Sequence, residues 1–120
     1  MTTDEATMEE EIVRKGKTAP RLTPQMIDAQ IASEVWGRAS DLFKNVPHSE
    51  ALQCLTICVI TLKNGYTLVG KSACASPENF DPEIGGKIAR DDARKQIWAL
   101  EGYALKNALT GRAPFNEALR

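Results

Sequence analysis

Leu55-Thr56-Ile57-Cys58-Val59-Ile60-Thr61-Leu62-Lys63-Asn64-Gly65-Tyr66 decides how this chain folds. The run from Leu55 to Leu62 is rich in β-branched side chains, which fit a pleated, half-buried surface. Asn64-Gly65 then gives the strongest short-range hairpin signal, because both residues accept the positive φ of a two-residue turn. The spacing predicts a hairpin in which Lys63 faces Tyr66. In that register Leu62, Ile60 and Val69 share one face, while Leu55, Ile57, Val59 and Leu68 share the other. Both faces are apolar. Two strands alone are marginal, and an apolar face left in water marks an interface. One face is expected to meet the helices of the chain. The other is covered either by a second copy in a homo-oligomer or by those helices wrapping both sides.

Outward from the hairpin, a polar elbow follows at Ser76-Pro77-Glu78-Asn79-Phe80-Asp81. Asp81 as cap, Pro82 in the first helical position and Glu83 in the first turn then open a long helix. Ile84, Ile88, Ala89, Ala93, Ile97, Leu100 and Ala104 recur at three- to four-residue spacing and predict its core-facing stripe, with Lys87, Arg90, Asp91, Arg94 and Lys95 on the remaining surface. Gly102 costs about 1 kcal/mol of helix stability relative to alanine, so close packing or a bend is expected there. On the N-terminal side, Thr23-Pro24 supplies a cap and a first-turn proline, and Ile27, Ile31 and Val35 predict a short amphipathic helix over 24–36. The stretch 37–49 reads as a loop, although Ala39, Leu42 and Phe43 allow one more helical turn before Pro47.

Residues 1–20 lack sustained apolar periodicity and read as a flexible tail. Glu9-Glu10-Glu11 is followed by Arg14, Lys15 and Lys17, with Gly16 ending any short helical turn. Gly111 and Pro114 mark a C-terminal tail at 111–120. The expected fold is α+β: one domain over 21–110, with the β-hairpin packed against a short N-terminal helix and a long C-terminal helix.

The length of 120 residues suits one domain. With 15 Lys plus Arg against 16 Asp plus Glu, the formal net charge is -1. That opposes a dedicated DNA-coating protein, which binds by counterion release. No apolar run reaches the roughly 20 residues needed to span a bilayer, and the acidic N-terminus does not resemble a signal peptide. A soluble, cytosolic protein without a membrane partner is expected. Cys54, Cys58 and Cys74 form no C-x-x-C pair and read as small buried hydrophobes, while the one histidine, His48, lies in a Pro-flanked loop. Gly85-Gly86-Lys87 lacks the first glycine and the following Ser or Thr of a phosphate loop. No metal, no cofactor and no enzymatic activity is expected.

Candidate binding residues gather around the elbow. Ser76, Glu78, Asn79 and Phe80 combine polar groups with one aromatic ring, Lys71 and Ser72 lie on the approaching strand, and Arg21 adds a second cation. Loops on a rigid scaffold often carry function. These residues read either as a ligand- or partner-binding site, with Arg21 and Lys71 holding an anion, or as a turn in which Asn79 and Ser76 satisfy backbone groups and Phe80 staples the helix start. Trp98, Glu101 and Tyr103 read as packing or subunit-contact residues.

Thr18-Ala19-Pro20-Arg21-Leu22-Thr23-Pro24, Ile31-Ala32-Ser33-Glu34, Lys63-Asn64-Gly65, Gly70-Lys71-Ser72-Ala73-Cys74, Pro77-Glu78-Asn79-Phe80-Asp81 and Ile97-Trp98-Ala99-Leu100-Glu101-Gly102-Tyr103 carry a resemblance. Over roughly residues 12–107 the chain resembles a family of small proteins from short-tailed bacteriophages of the N-four and Sf-six type. It departs from that pattern after Glu34, where Val35-Trp36-Gly37 stands in place of a run richer in aromatics. The resemblance implies a phage or prophage origin and a product acting in the host cytoplasm, and it carries no activity over. Two functional classes follow. One is a non-catalytic accessory protein that binds a host protein or a small nucleotide signal, as in counter-defence, with an oligomer interface forming the pocket. The other is a nucleic-acid-associated helper in phage DNA metabolism, using Arg90, Arg94, Lys95 and Trp98 as a groove surface.

Overall fold

The computed structural model describes residues 1–112. They divide into two compact units, one formed by Met1–Ala29 with the chain from Trp98 onward, the other by Gln30–Ile97. The elements are α1 (Thr3–Arg14), α2 (Pro24–Gln30), β1 (Ile31–Arg38), α3 (Ala39–Leu42), β2 (Leu55–Leu62), β3 (Thr67–Ala73) and α4 (Pro82–Leu109). Short 3-10 turns occupy Glu50–Cys54 and Pro77–Asn79. The fold class is α+β, as the sequence implies, but the hairpin is two strands of a three-stranded antiparallel sheet in the order β1-β2-β3. From residue 113 on, the expected C-terminal tail lies outside the described residues.

The third strand comes from the segment read as the second half of a helix. Thr23 does cap α2, its hydroxyl accepting from the Met26 N–H at 3.2 Å. The helix nevertheless stops at Gln30, and Ile31–Arg38 pairs with β2, Glu34 opposite Ile60 and Trp36 opposite Cys58. The four-residue spacing of Ile27, Ile31 and Val35 fits a helical face, but an even spacing does not exclude a strand. In β1 a bulge between Ile31 and Ser33 sets Ile31 opposite the buried Leu62 and Val35 opposite Val59, on different faces. Pairing with β2 settles which periodicity wins.

The turn also differs by one residue from the expected two-residue form. The Gly65 N–H donates to the Leu62 carbonyl at 2.9 Å, and the Leu62 N–H donates to the Tyr66 carbonyl at 2.8 Å. Lys63, Asn64 and Gly65 therefore form a three-residue loop. Gly65 has a φ of 89°, while no residue other than glycine among those described has a positive φ. Asn64 instead uses its side-chain oxygen to accept from the Tyr66 N–H at 3.0 Å. A slip of one residue exchanges faces on the partner strand. Leu68 consequently stands opposite Ile60, and Val69 opposite Val59.

The inner face presents Cys58, Ile60, Leu62 and Leu68, all buried. Burying one such aliphatic side chain contributes about 1.5–3 kcal/mol. Asp81 starts α4 as the sequence implies, its carboxylate accepting from the Glu83 and Ile84 N–H groups at 2.9 and 3.0 Å. The buried stripe, however, runs through Gly86, Ala89, Ala93 and Ile97, whereas Ile84, Ile88, Leu100 and Ala104 are exposed. Gly70 of β3 explains this rotation. A Cβ there would collide with the Ala89 carbonyl oxygen and come within 2.8 Å of the Ala93 Cβ, so helix and strand backbones meet directly. Large Ile84 and Ile88 side chains have no room in such a contact.

In the other unit, residues 3–14 are helical, where no more than one short turn is expected from the sequence. Thr2 and Glu5 form a capping box, each side chain accepting from the other's backbone N–H at 3.0 Å. The helix ends just before Gly16, which has a φ of 68°. None of its residues is buried. It is held in that unit by polar contacts: Arg21 Nη1 and Nη2 donate to Glu9 at 2.6 and 3.0 Å, and the Trp98 Nε1–H donates to Glu5 at 2.7 Å.

Candidate functional site

The fold of Gln30–Ile97 leaves the outer face of the sheet open, with Val35 and Val69 exposed on it. Alternation along β2 puts Leu55, Ile57 and Val59 on it, opposite the buried set. Val35, Val59 and Val69 lie side by side in one row across the three strands. Val35 is 61% exposed and Val69 56%. In the next row Gly37 and Lys71 flank Ile57, and the Leu42 side chain of α3 lies over Gly37, 3.3 Å from where a Cβ would stand. Ser33, Thr61 and Thr67 form a polar row on the other side. The result is an apolar strip with a hydroxyl-bearing rim and one lysine.

The sheet edge at β3 is protected from further strand pairing. The Lys71 N–H donates to Asp92 Oδ2 at 2.9 Å, and Gln96 Nε2 donates to the Val69 carbonyl at 2.7 Å. Side chains of α4 thus occupy backbone groups that an added strand would need. An association through Val69 uses the face of β3 rather than its edge.

The elbow closes one end of the sheet. Ser76 leads a 3-10 turn without using its side chain as a cap, while its carbonyl accepts from the Asn79 N–H at 3.1 Å and from Cys74 Sγ at 3.2 Å. Phe80 lies half-buried under the Arg38 guanidinium, 3.9 Å from ring centroid to Cζ. Arg38 also donates from Nε to the Gln53 carbonyl at 2.6 Å. Glu78 and Asn79 are exposed. Ser76, Glu78, Asn79 and Phe80 are therefore brought together, with Arg38 as a cation that the sequence reading did not include.

The remaining candidates are placed differently. Lys71 points to the outer face beside Ile57, and Ser72 points inward opposite Thr56. Adjacent strand residues face opposite sides, so Lys71 and Ser72 do not converge. Arg21 belongs to the other compact unit, where its fork holds Glu9 and also donates to the Leu22 carbonyl at 3.3 Å. That bond holds the Glu9 carboxyl below the ordinary carboxylate range and raises Arg21 further. In the same unit Met8, Ile12, Leu22, Pro24 and Trp98 line a cleft of about 260 Å³.

The sequence reading missed Val35 and Leu42, which it placed in a helix and a loop. It also missed Arg38, the last residue of β1, in a segment read as a loop. Of the proposed groove cations, Arg90 is ion-paired with Glu34 at 3.0 Å and lies 5.3 Å from the Trp36 ring, and Arg94 is buried. No group of three or more potential metal ligands clusters among the described residues. No helix among them is long and apolar enough to cross a membrane.

No curated protein and no solved structure matches the chain. Residues 22–109 match the Phage protein (N4 Gp49/phage Sf6 gene 66) family, a span that includes the whole sheet, the elbow and α4. The chain belongs to that phage protein family.

Proposed function

We propose that this phage protein is a small, non-catalytic binding module that acts in the host cytoplasm as a homo-oligomer joined through the outer face of its sheet. The row Val35–Val59–Val69 carries this reading, because two of its three members are more than half exposed within an otherwise alternating sheet. A face that pairs with its own copy about a two-fold axis covers both strips in one contact. Lys71 and the Ser33–Thr61–Thr67 row border that strip, and they supply polar groups for a host protein or a small nucleotide signal held at the joint, in keeping with a counter-defence role.

The nucleic-acid reading is weaker. Arg90 is committed to Glu34 and Arg94 is buried, which depletes the cationic row on α4, and the net charge is -1. Native mass spectrometry on protein purified from bacterial lysate tests the proposal. A defined oligomer supports it, and a nucleotide-sized adduct on that oligomer identifies a sequestered signal. A monomer at every concentration contradicts the oligomer. Binding to DNA that weakens steeply with salt supports the helper role instead.

A further inference from the structure

Cys54 and Cys74 face one another at the open end of the hairpin. The β2–β3 register ends with Leu55 opposite Ala73, and just beyond it, where Cys54 closes the 3-10 turn into β2, the Cys74 N–H still donates across to the Cys54 carbonyl at 3.0 Å. Directly opposed residues of antiparallel strands project to the same face, with Cα atoms about 5.5 Å apart when hydrogen-bonded. A disulfide spans Cα separations of roughly 4.4–6.8 Å. Cys74 Sγ lies 3.6 Å from the Cys54 carbonyl oxygen, which places this thiol beside the Cys54 residue. Both residues are half-buried, which leaves access for a small reagent. Cys58, by contrast, is completely buried and stands opposite Gly70, so it has no sulfur across from it.

We propose that Cys54 and Cys74 are a reversible disulfide site, oxidised by exchange with a small-molecule disulfide of the glutathione type. One thiol loses its proton to solvent and attacks a sulfur of the reagent, releasing one small thiolate and leaving a mixed disulfide. The second thiol, deprotonated in turn, attacks the protein sulfur of that mixed disulfide and releases the other small thiolate. The protein pair loses two electrons and two protons, and the reagent is reduced to two thiols. Burial, and after it the neighbouring Cys74 thiol, pushes the Cys54 thiol above its usual range, so the exchange accelerates as pH rises. The bridge has a local consequence. It removes the Sγ–H that Cys74 donates to the Ser76 carbonyl, leaving the Asn79 N–H as the other donor to that oxygen at the head of the elbow.

The test incubates the native full chain with oxidised glutathione, quenches by alkylation and maps the peptides. The expected product is lighter by about 2 Da, with a cross-link between the Cys54 and Cys74 peptides that dithiothreitol reverses. Cys54→Ser should accumulate a lasting glutathione adduct on Cys74, because the resolving thiol is gone, and Cys58→Ala should still form the bridge. The proposal is overturned by adducts that persist on wild-type Cys54 or Cys74 without a bridge. A cross-link to Cys58, or two thiols still reduced when an unfolded control has oxidised, overturns it as well.

Discussion

The two faces of the sheet are built from the same strand and the same kind of residue, yet they end in opposite states. Ile60 on β2 is fully buried, while its neighbour Val59 sits in a row whose outer members are more than half exposed. Side-chain chemistry does not separate them. What differs is the surface offered by the partner: Gly70, Ala89 and Ala93 remove enough bulk for α4 to lie directly on the inner face. No described element is similarly tailored to the outer face, where Leu42 reaches over Gly37 and leaves the valines open. Small residues, more than hydrophobic ones, determine where this helix docks.

The most damaging way to break that contrast is to add bulk at the contact. Gly70→Val forces a side chain against helix backbone that cannot rotate away, and urea denaturation should show a loss of about 3 kcal/mol. A loss under about 1 kcal/mol would mean that α4 is not seated as described. Truncation compares the faces directly. Ile60→Ala should cost about 2–5 kcal/mol, whereas Val69→Ala, measured on dilute monomer, should change stability by no more than about 0.5 kcal/mol. Equal costs would remove the distinction between the faces.

The smallest effect concerns α1, which buries no residue and so depends on polar contacts. Arg21 holds the folded Glu9 carboxyl below its ordinary range, so the associated stabilisation is present at neutral pH and is lost as pH falls through that lowered value. Amide-exchange protection in residues 3–14, taken relative to the intrinsic rate at each pH, should fall on acidification below the ordinary carboxylate range. Glu9→Gln should flatten the part of that response that comes from this pair; an unchanged profile would show that the pair does not hold the helix.

Much of the fold was legible in the sequence because the signals were local. The β-branched run 55–62 and Asp81-Pro82 act through neighbouring backbone and produced the elements that they imply, and Asn64-Gly65 produced the hairpin, with a three-residue loop in place of the two-residue turn. The third strand was hidden because the spacing of Ile27, Ile31 and Val35 suits a helix without excluding a strand, and only pairing with β2 decides between them. The Thr2–Glu5 capping box was readable, but a helix with no buried face gives no apolar period to confirm it. The helix stripe was misjudged at Ile84 and Ile88 because Gly70, far away in sequence, sets the rotation of α4. The elbow residues were found as a group, yet Arg38 and the opposition of Cys54 to Cys74 depend on strand register, which a one-residue error in the turn obscures.

Sedimentation velocity over a range of concentrations, on the wild type and on Val35→Thr/Val69→Thr, tests the central claim most directly. The change removes apolar surface from the outer face while keeping shape and β propensity. The account predicts an associated wild type and a folded variant shifted to monomer, with unchanged far-ultraviolet circular dichroism. A variant that associates as strongly as the wild type, or a wild type that stays monomeric throughout, would contradict it.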